Sequence, residues 1–202
     1  MGGGKISDSL LSENLLLGTK DFSGDWKNLS DGKWQKEDET YGELTVYSRS
    51  EAYGGIYQEH EAHVGEKYTF SVFAKASADV ECLAFLTLYQ QGETAPNSLT
   101  FNVTTDWKRY FGTFAITKDG KIGARIEFQK KVAEPTTLYV CGYKLERGEN
   151  NYPIWTQSPY DYLVDLETRV KALEIKNGIV SADSAMELPS ADMAENDMEI
   201  TE

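Results

Sequence analysis

The sequence predicts an all-β protein: an antiparallel β-sandwich of the jelly-roll type, followed by a short C-terminal α-helix and an acidic tail. Three observations carry this. Short apolar–polar alternations with a period of two recur between residues 43 and 146, the mark of strands with one buried face. Turn residues separate them at close intervals with no helical periodicity between, which points to antiparallel pairing in a sandwich. The 202-residue chain holds 12 Tyr and is 12% aromatic, a composition that favours strands.

Taken in order, residues 31–38 read as a polar, charge-dense loop or edge around Trp34. Residues 43–49 place Leu, Val and Tyr between polar alternates, and residues 55–60 form a second short run. Residues 67–76 alternate cleanly: Tyr68, Phe70, Val72 and Ala74 share one face, and Thr69, Ser71, Phe73 and Lys75 the other. Residues 80–90 are more apolar, as in a central strand covered on both faces. A loop over 92–98 contains Pro96. Strands follow over 99–103, 107–116, 121–130 and 136–146, punctuated by Thr105 and Asp106, Asp119 and Gly120, and Glu134 and Pro135.

One convincing helix comes next. Pro159 and Asp161 open it, residues 162–176 contain no Gly or Pro, and Gly178 ends it. Leu163, Leu166, Val170 and Leu173 recur at spacings of 3, 4 and 3, a heptad pattern, and Glu167 precedes Lys171 by four residues on another face. The stripe reads as a short oligomerising stalk; the alternative is a helix packed on its own domain. After Lys176 there is no Lys or Arg, and residues 177–202 carry seven acids. The expected organisation is an N-terminal arm over 1–12, a β-module over 13–158, the helix over 159–177 and an acidic, flexible or partner-docked tail over 178–202.

Charge narrows the function classes. With 20 Lys plus Arg against 33 Asp plus Glu, the formal balance is −13, of which the C-terminal segment contributes −7 and residues 1–176 the remaining −6. Such a chain lacks the basic face that nucleic acid requires, and the balance disfavours an anionic membrane surface. No apolar run is long enough to cross a bilayer, and the opening residues carry no apolar signal core. Cys82 and Cys141 lie on separate apolar stretches and read as buried, reduced thiols, which fits synthesis in a reducing cytosol. The two histidines, His60 and His63, fall near a turn before Gly65 and cannot build a histidine-rich metal site. No Gly-rich phosphate loop, HExxH or CxxC is present, and nothing fixes Glu127 and Glu146 as a glycosidase pair. No catalysis is expected.

Three stretches resemble a known family. The first is Asn14-Leu-Leu-Leu-Gly-Thr-Lys-Asp-Phe22-Ser-Gly24 with Trp26. The second is Tyr68-Thr-Phe-Ser-Val-Phe-Ala-Lys75, with Trp107-Lys-Arg-Tyr110 and Thr113-Phe114. The third is Leu138-Tyr-Val-Cys-Gly-Tyr-Lys-Leu-Glu-Arg-Gly148, with Trp155 and Ser158-Pro159. Together, over about residues 12–160, they resemble the jelly-roll carbohydrate-binding-module-like domains of the family 4/9 type, in particular the version found in minor structural and tail proteins of tailed bacteriophages. The resemblance implies a β-sandwich and a sugar-binding or virion-attachment role. Members with a structural calcium usually carry an acidic residue just after the Phe of the opening motif and an Asp in the last strand. Here Ser23 follows Phe22 and the last strand reads Val140-Cys141-Gly142, with only Asp21 nearby, which weighs against calcium. No cofactor and no metal ligands are expected.

For a glycan site the sequence offers one polar sheet face. Arg125, Glu127 and Gln129 share a face opposite Ile122, Ala124, Ile126 and Phe128, and residues two apart on a strand are about 7 Å apart. Phe73 falls on the polar side of its strand, and Tyr89 ends another. Planar polar groups beside an aromatic ring suit a sugar groove, because rings stack on sugar faces and forked groups orient hydroxyls. Trp34 joins as a rim candidate because its neighbours are polar, whereas Trp26, Trp107 and Trp155 read as packing residues. An ordinary solvated sheet face is the competing interpretation. The expected function is a bacteriophage virion accessory protein, in tail, baseplate, fibre or capsid decoration, that adheres to a host-surface polysaccharide. The alternative is a purely structural assembly subunit. Its expected partners are itself, with a trimer implied by the resemblance to phage fibres, other virion proteins and the host glycan. Its expected location is the virion, after synthesis in the bacterial cytoplasm.

Overall fold

The computed structural model describes residues 13–28, 34–87, 98–128, 136–151 and 153–179. Eleven strands are present among them. They are β1 (Lys27–Asn28), β2 (Gln35–Tyr41), β3 (Leu44–Arg49), β4 (Ile56–Tyr57), β5 (His60–Ala62) and β6 (Lys67–Ala76). After these come β7 (Val80–Thr87), β8 (Ser98–Val103), β9 (Lys108–Ala115), β10 (Gly120–Glu127) and β11 (Leu138–Arg147). One sheet has five strands in the order β2-β3-β11-β6-β9; the other has four, in the order β5-β10-β7-β8; β1 pairs with β4. The pairings within both sheets are antiparallel. The sandwich expected from the alternation is therefore present, and residues 35–38, expected within a loop or edge, belong to the edge strand β2.

The core lies between the two sheets. Tyr68, Phe70, Val72 and Ala74 of β6 meet Ile122, Ala124 and Ile126 of β10 and Cys82 and Ala84 of β7, all within 2% of full burial. Burial on this scale stabilises by about 25 cal/mol per Å² of apolar surface. β11 changes parity in its middle. Its pairing to β6 shifts between Cys141 and Lys144, and Gly142 supplies the left-handed backbone there (φ 56). The bulge lets Val140 and then Tyr143 both face the core. A Cβ at Gly142 would also sit 2.8 Å from Leu44 and 3.0 Å from Phe73.

The opening segment is pinned by one side chain. Buried Asn14 donates from Nδ2 to Thr19 Oγ1, Tyr143 O and Thr156 O (3.0–3.1 Å), and its Oδ1 accepts from Leu16 N and Leu145 N. A single amide thus joins the N-terminal segment, β11 and the chain after β11. Phe22 follows, with its ring 4.9 Å from Trp26, 4.6 Å from Tyr47 and 5.7 Å from Tyr143, so Trp26 has the packing role read from its sequence.

The helix α1 (Pro159–Lys176) is capped at both ends. Ser158 Oγ accepts from Asp161 N at 3.0 Å, an N-cap with Pro159 in the first helical position. At the other end Gly178 (φ 67) donates to Ile175 O and Ile179 donates to Glu174 O, the paired bonds of a Schellman stop. No residue of the helix is buried, and Leu163, Val170 and Leu173 are each more than half exposed. By contact the chain divides into residues 1–161 and 162–202. The arm expected over 1–12 and the tail from residue 180 lie outside the described residues. Cys82 and Cys141 are both free and buried; burial pushes each thiol up to about 12.

Candidate functional site

The residues proposed from sequence do not form one groove. Arg125 and Glu127 are on the outward face of β10, as their parity requires, but they are 0% and 4% exposed. The chain at Gly54 and Gly55 crosses directly over them. Gly54 N donates to Glu127 Oε2 at 3.0 Å, and a Cβ at Gly55 would come within 2.6 Å of the Arg125 side chain. Arg125 Nε lies 3.6 Å from Glu127 Oε2, and its Nη1 donates to Gly123 O. Trp34 is also corrected. It is 8% exposed, and its Nε1 donates to Gly54 O at 2.8 Å. These three residues form a packed assembly over the four-stranded sheet rather than an open strip and its rim. Phe73 is on the outward face of the five-stranded sheet, across the core from them. Tyr89 and Gln129 lie outside the described residues.

The outward face of the five-stranded sheet has the properties sought. By register, β9 contributes Arg109 and Phe111, with Trp107 just ahead of the strand. β6 contributes Lys75, Phe73, Ser71 and Thr69; β11 contributes Tyr139, Cys141, Lys144 and Glu146. β3 adds Leu44, Val46 and Ser48, and β2 adds Tyr41 and Glu39. Leu44, Val46 and Cys141 make a small second core, against which Tyr41, Phe73, Trp107, Tyr139 and Trp155 pack while keeping part of their surface in solvent. Four of these rings are linked through contacts to cations. Tyr41 stacks on Trp107 (4.8 Å, 29°) and touches Phe73 (5.0 Å). Lys75 Nζ is 5.2 Å from the Trp107 ring and 5.1 Å from the Tyr139 ring. The Arg109 guanidinium is 4.6 Å above Phe73.

The charges on this face are held by neighbours. Lys75 pairs with Glu39 at 3.1 Å. Arg109 donates to Gly142 O and to Ser71 Oγ; burial pulls its guanidinium down to about 9, so it stays charged at neutral pH. Lys144 and Glu146, both fully buried, pair at 2.7 Å, and Lys144 Nζ also donates to Ile154 O. The chain after β11 therefore covers one end of the face, held there by Lys144, by Trp155 Nε1 on Thr19 Oγ1 (3.2 Å) and by Asn14. The rings occupy the other end, so the uncovered part presents aromatic surface beside neutralised polar groups.

Sequence reasoning found Phe73 and missed its companions. Trp107 was read as packing, although Trp107, Arg109 and Phe111 alternate on one side of a strand, which is the same signal that placed Phe73. Tyr139 stands two residues before Cys141 on the same face. Tyr41 carried no local signal, because its partners come from strands far away in sequence. A separate hollow of about 360 Å³ is lined by Asp25, Lys27, Glu59, His60, Glu61 and Lys121. There Glu59 Oε2 bridges Lys27 and Lys121 at 3.0 Å each. Among the described residues no group of three or more His, Cys, Asp or Glu is placed to hold a metal ion.

The chain belongs to the CBM_4_9 family, carbohydrate binding domain, whose model matches residues 9–137. No curated protein sequence matches it. Among solved structures it is similar to the N-terminal cellulose-binding domain of Cellulomonas fimi β-1,4-glucanase C, at 16% identity, covering 66% of this chain and 95% of that one, with a TM-score of 0.46. It is similar to TmCBM61 in complex with β-1,4-galactotriose, at 16% identity over 68% of this chain and 100% of that one, TM-score 0.46. It is also similar to the enzymatically active domain of bacteriophage CBA120 tailspike protein 4, at 12% identity over 61% and 18%, TM-score 0.40.

Proposed function

We propose that the protein is a non-catalytic adhesin that binds a neutral polysaccharide on the outward face of its five-stranded sheet. The carrying observation is the set of partly exposed rings of Phe73, Trp107 and Tyr139, with Lys75 and Arg109 seated among them. Indole and phenol rings stack on the apolar faces of sugars, and the flanking amines and carboxylates meet the hydroxyls. The ion pairs on the face leave it little net charge, so binding is insensitive to salt. Membership of a carbohydrate-binding family supports this reading.

The resemblance of the opening and closing segments to phage modules supports a finer assignment: a tailed-bacteriophage virion accessory protein, made in the host cytoplasm and mounted on tail, baseplate, fibre or capsid. The stripe of Leu163, Val170 and Leu173, all exposed, with the partly buried Leu166 would join copies, a trimer in this reading, and multiply a weak site by simultaneous engagement. The competing reading, an assembly subunit without sugar binding, is favoured by one observation: Tyr41 stacks on Trp107 and Arg109 covers Phe73, as in an interface packed for its own sake. Affinity electrophoresis in gels containing soluble xylan, mixed-linkage β-glucan or β-1,4-galactan separates the two. Retardation that falls about tenfold in Trp107→Ala, and persists in 0.5 M salt, supports the adhesin; a single lost aromatic contact is worth about that factor. Unretarded migration in every gel, with host cells undecorated, overturns it.

A further inference from the structure

The ring best suited to stack on a sugar, Trp107, already has a partner of sugar-like shape. Tyr41 lies nearly parallel to it at 4.8 Å. The two residues belong to opposite edges of one sheet: Tyr41 ends edge strand β2, and Trp107 immediately precedes edge strand β9. In a flat sheet four inter-strand steps of about 4.8 Å would separate these edges by about 19 Å. Sheet twist, the reach of the two side chains and the course of β2 together close that gap. Strand β2 is attached in a way that leaves it movable. β2 pairs on one side only, and its register to β3 shifts between Lys36 and Thr40. The two-residue turn begins at Gly42, whose φ of 62 suits the tight turn and whose Cα has nothing within 4 Å of where a side chain would start. Five of the seven residues of β2 are exposed. Tyr41, stacked on Trp107 and tilted against Phe73, and the Lys75–Glu39 pair hold β2 over the rings, and Ser48 on Glu37 ties it to β3. The turn and β3 are anchored separately, by Lys20–Glu43 at 2.9 Å, by Thr45 N on Lys20 O and by the buried Leu44 and Val46.

We propose that Tyr41 is an internal competitor for the Trp107 ring face, so that the end of β2 acts as a displaceable cover and glycan binding begins with its withdrawal from β3. This rests on the proposed glycan site. The cover imposes a fixed cost on every ligand that reaches Trp107, because the apparent affinity is the intrinsic one scaled by the fraction of molecules with the ring uncovered. The cost does not depend on ligand length. It is lost when Tyr41 is shortened and kept when its ring is kept.

The test uses the full chain with xylo-oligosaccharides and β-1,4-galacto-oligosaccharides of three to six units, measured by titration calorimetry, beside amide hydrogen exchange without ligand. Tyr41→Ala binds about three- to tenfold tighter than the unmodified protein, by the same factor at every length that binds. Tyr41→Phe binds as the unmodified protein does, and Glu39→Gln gives a smaller gain. In exchange, the amides of residues 39–42 open at least tenfold faster than those of residues 69–73. Weaker binding by Tyr41→Ala makes Tyr41 a sugar platform and overturns the cover while leaving the glycan site standing. Exchange of residues 39–42 as slow as in β6 overturns it independently of any ligand. Failure of the unmodified protein and all three variants to bind either series overturns the glycan site, and the cover with it. A thermal midpoint of Tyr41→Ala within a few degrees of the unmodified protein confirms that the fold is intact.

Discussion

His60 sits half-buried on β5 with its ring edge-on to Tyr68 at 5.6 Å. Burial, and then the Arg147 guanidinium, hold its imidazole below the ordinary value near 6.5, against the smaller opposing pull of Glu66 and Glu61. A folded-state value below the unfolded one means that the unfolded chain takes up the proton first. His60 therefore contributes its full stability above about pH 6.5, and this is lost as pH falls from there through the depressed folded value. Replacement by Gln should flatten the dependence of the urea midpoint on pH between 7 and 5. The Lys144–Glu146 pair makes a larger difference. Lys144→Met strands a fully buried carboxylate and should cost about 3–5 kcal/mol in urea unfolding. At this scale the sequence was half legible. Parity put Arg125 and Glu127 on the outward face correctly, but exposure was misjudged, because the covering chain at Gly54 and Gly55 arrives about 70 positions earlier. Trp34 was misread for the same reason: its neighbours are polar, and its partner, the Gly54 carbonyl, is 20 residues away.

Among the elements, the helix was the most legible, since its start and stop are local chemistry: Ser158 and Pro159 at one end, Gly178 at the other. What the helix does is not local. Eighteen residues with none buried are marginal as an isolated helix in water, so the exposed heptad stripe argues for a partner. Light scattering at micromolar concentration should give an oligomer mass for the intact chain, and Leu166→Lys with Leu173→Lys should give a monomer whose sandwich is unchanged. A monomer mass for the unmodified chain would remove the stalk. Strands were legible where one face is buried, as in β6, and not where both faces meet water. β2 reads QKEDETY, without the apolar alternation that marks a strand; pairing to β3 and contacts across the sheet make it one.

For the whole molecule, the fold class followed from alternation and turn spacing, while the proposed site depends on which outward face stays open. That is set by two covering segments, one over each sheet: the turn at Gly54 and Gly55, and the chain between β11 and the helix. The first comes from about 70 positions before the residues it hides, which is why Arg125 and Glu127 were expected to be open and are buried. The cysteines give a test at this scale. Cys82 lies in the core between the sheets and Cys141 in the small cluster on the outward face. Thiol titration of denatured, non-reduced protein should find two free thiols per chain, against none for a bridged form.

The chain between β11 and the helix also has a mechanical meaning. Tension applied through the helix enters the sandwich at Ser158, where four fasteners lie within eight residues: the Lys144 bond to Ile154, the Trp155 bond to Thr19, the Asn14 bond to Thr156 and the Asp161 bond from Gly18. They tie this chain to β11 and to the opening segment, so a pull is shared across several anchors before the ladder of β11 begins to unzip. Three of the four run to Asn14, Gly18 and Thr19, which makes the first turn of the module the clamp for its last.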